Sequence, residues 1–94
     1  MAQISGTVLT VLPPVEGQTA TGTWVRSGFV IVPTDRPASR IAFEAMGEDM
    51  AGIISRLGVG MTVMVNYRVE SREFAEKWFT SARVTSIQTL KIYS

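Results

Sequence analysis

Ninety-four residues carry 46% hydrophobic side chains, a net charge of +1, and neither histidine nor cysteine. Disulfide frameworks, zinc ribbons, thiol nucleophiles and imidazole acid–base chemistry are thereby excluded, while enough apolar material remains for one core without a staple. The apolar runs are too short for a membrane span, and residues 1–6 lack a basic region leading into an apolar stretch; one cytoplasmic domain over residues 1–94 is expected.

Alternation predicts a first strand over residues 4–12, rich in β-branched side chains and stopped by Pro13 and Pro14. Residues 13–22, with two prolines and two glycines, read as an exposed loop. A second strand follows over 23–32, ended by Pro33, and 34–37 form a turn. The third strand, 40–46, places Ile41, Phe43 and Ala45 on one face and Arg40, Ala42 and Glu44 on the other.

The period then changes. Met50, Ile53, Ile54 and Leu57 recur at the spacing of one helical face, which predicts a helix of about three turns. Gly47 can cap its start, Glu48 and Asp49 suit the positive end of its dipole, Arg56 lies in its last turn, and Gly58 is expected as a left-handed stop. Met46, Met50, Met61 and Met64 read as filling around this helix. Alternation resumes over 61–71, where Val63, Val65, Tyr67 and Val69 oppose Met64, Asn66, Arg68 and Glu70. A charged loop leads to the fifth strand, 78–88, which residues 89–94 could extend.

Three strands, one helix and two strands are the element order of the OB-fold, the all-β, five-stranded Greek-key barrel in which a single helix between strands three and four plugs one end. An SH3-like barrel would lack the amphipathic helix. The chain also resembles a small bacterial and phage family of OB-fold proteins of unknown function that are similar to single-stranded DNA-binding proteins. The likeness rests on Ile4-Ser5-Gly6-Thr7-Val8 with Val11-Leu12-Pro13, Gly22-Thr23-Trp24 leading to Phe29-Val30-Ile31, Phe43-Glu44, and Gly47-Glu48-Asp49. Its last and most specific blocks are Val69-Glu70-Ser71-Arg72-Glu73-Phe74 and Lys77-Trp78-Phe79-Thr80. The resemblance covers nearly the whole chain; it implies the OB-fold, and nucleic-acid binding by analogy. Members often carry lysines between the tryptophan and phenylalanine of the second strand, where Val25-Arg26-Ser27-Gly28 leaves one positive charge here. The sequence ends at Tyr93-Ser94 without the linker and acidic tip by which bacterial single-stranded DNA-binding proteins recruit partners, so that role is not expected.

Three aromatic positions and six cations make up the candidate site. Trp24 lies an odd number of positions from Phe29, so an unbroken strand that buries Phe29 and Ile31 turns Trp24, Arg26 and Val30 outward. Trp78 and Phe79 are adjacent and must face opposite ways; one is expected in the core and the other in solvent, with the more polar companions Ser81, Arg83 and Thr85 favouring Phe79 as the outward ring. Arg26, Arg40, Arg68, Arg72, Lys77 and Arg83 border the expected groove. They can neutralise phosphates, or they can form an ordinary solvated surface paired with Glu44, Glu70, Glu73 and Glu76.

Glu70 and Glu73 have no companion nucleophile, phosphate cradle or metal set, and Gly58-Val59-Gly60 lacks the strand-before, helix-after context of a nucleotide loop. No enzyme, cofactor or metal is therefore expected. The reading is a non-enzymatic domain that binds single-stranded DNA or RNA by stacking on exposed aromatics, with arginines on the backbone. A short groove gains useful affinity from several copies, so a homodimer or tetramer is expected. The rival reading is an OB-fold used for protein–protein contact or oligomerisation, with Trp24 buried against a partner.

Overall fold

The computed structural model describes residues 2–90; the expected extension of the last strand over 91–94 lies outside them. In chain order the elements are β1 (Ala2–Thr19), β2 (Gly22–Pro33), β3 (Ile41–Met46), α1 (Glu48–Ser55), β4 (Thr62–Phe74) and β5 (Lys77–Thr89). They close into a barrel in the order β1-β2-β3-β5-β4. β3 and β5 run parallel, and all other neighbours run antiparallel. This connectivity, with α1 between β3 and β4, is the five-stranded OB-fold.

β1 serves two neighbours. Residues 2–7 pair with β4 and residues 6–19 with β2, with irregularities between Val8 and Thr10 and between Leu12 and Val15. Gly6 lies where both pairings overlap, and a Cβ there would stand 2.6 Å from the Val32 carbonyl oxygen, so only glycine lets the strands meet so closely. Residues 13–19, expected as a loop, continue the strand. Pro13 and Pro14 fall in the second irregularity, where a missing N–H breaks no ladder bond.

The alternation of β2 and β3 places Phe29, Ile31, Phe43 and Ala45 inside the barrel, each at most 1% exposed. The Phe43 ring lies 5.4 Å from Phe29 and 5.1 Å from Tyr67, the latter edge-on, and so joins β2, β3 and β4 at the centre of the core. From α1 and its exit, Ile54 and Leu57 are buried, whereas Ile53, expected on the same face, is 43% exposed. An eight-residue helix crosses the barrel end too briefly to bury a full stripe. Its stop also differs from expectation: Arg56 is the right-handed C-cap, its N–H donating to the Ile53 carbonyl while the Leu57 N–H donates to the Ile54 carbonyl, and the positive φ of 94° falls on Gly60 rather than Gly58. Met46 points outward and is exposed, while Met50 and Met61 pack against the core.

Both long hairpins outrun the barrel. β4 and β5 stay paired as far as Phe74 and Lys77, joined by a two-residue turn at Ala75 and Glu76, with φ of 51° and 65°. Every residue from Ser71 to Thr80 is exposed. Val69, on the strand face of Val65 and Tyr67, is 63% exposed because the arm has left the barrel by that point. The β1–β2 hairpin forms a second arm, turning at Ala20 and Thr21.

Candidate nucleic-acid interface

Residues directly opposite in a ladder share a face, so the β4–β5 register sorts the arm into two surfaces. Arg72 opposes Phe79 and Phe74 opposes Lys77, so these four project from one face, continuous with Arg68 and Arg83 on the outer wall of the barrel. Glu73 opposes Trp78 on the other face, which continues through Ser71 with Thr80 and Val69 with Ala82 to the core pair Tyr67 and Val84. Neither ring of the Trp78–Phe79 pair is buried: they are 67% and 50% exposed. Strand parity separates them as expected, but on the arm no second layer exists to bury either side.

Ion pairing divides the cations. Arg68 Nε lies 2.7 Å from Glu70, and Arg83 reaches Glu44 at 3.3 Å and Glu70 at 3.7 Å. Arg40 is turned back on its own loop, its Nη1 donating to the Pro37 and Ser39 carbonyls at 3.2 and 2.9 Å. Among the described residues no ion pair engages Arg26, Arg72 or Lys77. The arm face thus alternates two exposed rings with two unpaired cations. Phe74, 72% exposed, is the member that sequence reasoning missed. Its pairing with Lys77 requires a two-residue turn, and Ala75-Glu76 offers none of the glycine or asparagine that marks such a turn.

Between the roots of the two arms lies a groove of about 530 Å³, lined by Leu12 and Val15 from β1, Arg26 and Gly28 from β2, Ala42 and Glu44 from β3, and Thr80 and Ala82 from β5. Gly28 and Ala42 make its floor low. A Cβ at Gly28 would meet the Phe43 carbonyl oxygen at 2.8 Å. Arg26 is the one cation lining it.

Trp24 stands elsewhere. Its ring lies over Gly17, directly opposite on β1, so closely that a Cβ at Gly17 would collide with the indole. Trp24 also borders a separate pocket of about 420 Å³ bounded by Glu16, Met46, Glu48 and Ala51, which no other candidate residue lines. The structure therefore brings Arg72, Lys77 and Phe79 together, sets Trp78 behind them, places Arg26 in the groove and leaves Trp24 apart.

Arg83 also closes the barrel. β3 and β5 share one register pair, Glu44 with Arg83, and the two side chains bridge that seam half-buried. Arg83→Met leaves Glu44 and Glu70 without this cation. It is expected to lower stability by about 1–2 kcal/mol, between the values for exposed and buried pairs, as read from urea denaturation midpoints. An unchanged midpoint would show the bridge to be ornamental.

Among the described residues no group of three metal-ligating side chains occurs, and no helix is long and apolar enough to cross a membrane. Residues 3–88 match the family model described as "Domain of unknown function (DUF3127)". No curated protein matches the chain. Among solved structures it is similar to a small single-stranded DNA-binding protein from Streptomyces coelicolor, at 20% identity and a TM-score of 0.48, over 94% of this chain and 91% of that one.

Proposed function

We propose that this chain, which belongs to the family described as a domain of unknown function (DUF3127), binds single-stranded DNA or RNA with little sequence preference through its β4–β5 arm. One observation carries the reading: Phe74 and Phe79 stand in solvent on the same face as Arg72 and Lys77, two cations that no carboxylate among the described residues pairs with. A base has a flat apolar face whatever its identity, so rings of this kind hold unpaired bases at about 1–3 kcal/mol each without reading sequence. Cations beside the rings meet the phosphates that link those bases.

The track has a direction set by charge. Below the arm, Glu44, Arg83, Glu70 and Arg68 form a mutually neutralised network that gives a phosphate no net attraction. The strand is held on the arm and reaches the groove at Arg26 by skirting that network. Duplex DNA, whose bases are stacked on one another, gains nothing from the rings. With a net charge of +1, bulk attraction is small, and several copies on one strand supply the affinity that a single arm lacks.

Fluorescence anisotropy of labelled oligo-dT tests the proposal. The affinity is expected to fall with a log–log salt slope of about −2.1, the phosphates at Arg72, Lys77 and Arg26 contributing ~0.7 each. Duplex of equal length should bind more weakly, and Arg72→Glu with Lys77→Glu should abolish the signal. A titration that stays flat at low ionic strength removes the proposal.

A further inference from the structure

We infer that the groove between the arm roots takes one base of the bound strand and selects a base with an exocyclic amino group, Glu44 being the selecting residue. Resting on the single-strand reading above, this selectivity adds a preference at one position to otherwise indifferent stacking. Register places the lining side chains on one surface. Gly28 opposes both Leu12 on β1 and Glu44 on β3, and Arg26 opposes Val15, so these side chains project from the same outer face of the barrel. The volume of about 530 Å³ lies within the range of clefts that hold one small ligand, roughly 300–1,000 Å³. Leu12 leans over Gly28, 3.2 Å from where a Cβ would stand, and so brings an apolar surface to within one strand of Glu44. Leu12 and Val15 are 40% and 44% exposed, open to the flat face of a base. Arg26 is exposed at the same groove, and among the described residues no ion pair engages it.

Glu44 is the one carboxylate lining this groove. Its Oε1 meets Arg83 Nη2 at 3.3 Å, and among the described residues its side chain has no other ion pair or hydrogen bond. A carboxylate can accept about four hydrogen bonds and donates none, so most of that capacity is open to a ligand. The amino group at position 4 of cytosine projects from the base edge as a donor and meets it directly. Thymine carries a carbonyl there. Its one donor, N3–H, lies between two carbonyl oxygens that would face the carboxylate with like partial charge. Thymine in the groove therefore desolvates an acceptor without giving it a good partner, and sites discriminate most sharply when a polar group is left unpaired. The same oxygens repel phosphate, so the strand enters base first, with its adjoining phosphate on Arg26.

The test compares labelled oligo-dT with the same oligonucleotide carrying one central 5-methyldeoxycytidine, which keeps the methyl group of thymine and changes only the pairing edge. The modified strand is expected to bind at least about fivefold more tightly. Glu44→Gln offers both a donor and an acceptor in the same volume, so it should bring the two strands to within about twofold of each other while oligo-dT stays bound. Ala42→Val raises the floor of the groove without removing either partner of the Glu44–Arg83 bridge, and it should erase the preference even if the glutamine variant fails to fold. Equal affinity of the unaltered chain for both strands would overturn the inference and leave the arm's stacking role intact. A preference that survives Ala42→Val would also overturn it, because the base would then sit elsewhere. Binding of neither strand would remove the inference together with the reading beneath it.

Discussion

Replacing Phe74 and Phe79 together by alanine is expected to weaken oligo-dT binding by at least about thirtyfold, since two stacked bases contribute no less than ~1 kcal/mol each. The fold should survive the change. The two rings are 72% and 50% exposed and belong to no part of the core, so the urea midpoint should move little. Anisotropy titrations of the single and double variants separate two outcomes. If the rings act on neighbouring bases, the single losses add approximately; if the strand abandons the arm once one ring is gone, either single variant costs as much as the double. Retention of full affinity in the double variant would mean that the arm does not hold the strand. Trp78 stays in place as a reporter on the opposite face of the ribbon.

The largest loss of stability is expected from Phe43→Ala. Phe43 is 1% exposed and touches the Phe29 and Tyr67 rings, so truncation leaves a cavity where β2, β3 and β4 converge. Such changes cost about 3–5 kcal/mol, a large part of the ~5–15 kcal/mol available to a small domain. Phe43→Leu keeps most of the volume and should cost much less. Equilibrium denaturation in urea measures both. A small loss for the alanine variant would mean that the barrel centre collapses around the gap.

The fold was legible where one face of a strand or helix meets the core. Ile41, Phe43 and Ala45 alternate with Ala42 and Glu44 as a half-buried strand must, and the change of period at Met50 marks the helix that plugs the barrel end. The arms were less legible, because the same alternation continues after the core has ended. Val69 and Trp78 occupy inward-facing positions of strands that no longer have an inside, so the parity that favoured Trp78 over Phe79 for the core pointed to a core neither ring reaches. Pro13 and Pro14 read as a strand end because proline breaks ladders, yet they sit in a bulge where no ladder bond is required.

The candidate site was legible in its composition and not in its pairing. Arg72, Lys77 and Phe79 could be named from the sequence. That Arg68 and Arg83 are taken up by Glu70 and Glu44 depends on which strands become neighbours, and the parallel contact of β3 with β5 joins residues far apart in the chain. Phe74 escaped notice because Ala75 and Glu76 adopt left-handed backbone without the residues that usually do so, at about 1–2 kcal/mol per residue. The separation of Trp24 from the other rings follows from its contact with Gly17 across a hairpin expected to be a loop.

The double service of β1 has a kinetic consequence. Its inner half pairs with β2 across a short hairpin and can zip on the microsecond scale typical of such ribbons. Its outer half, with Ala2 opposite Tyr67, must wait for a partner more than sixty positions downstream. On the ribosome this half of β1 emerges well before β4 and is thus among the last segments of the barrel to find its neighbour, and closure of the ring becomes the slow, entropy-limited step of folding.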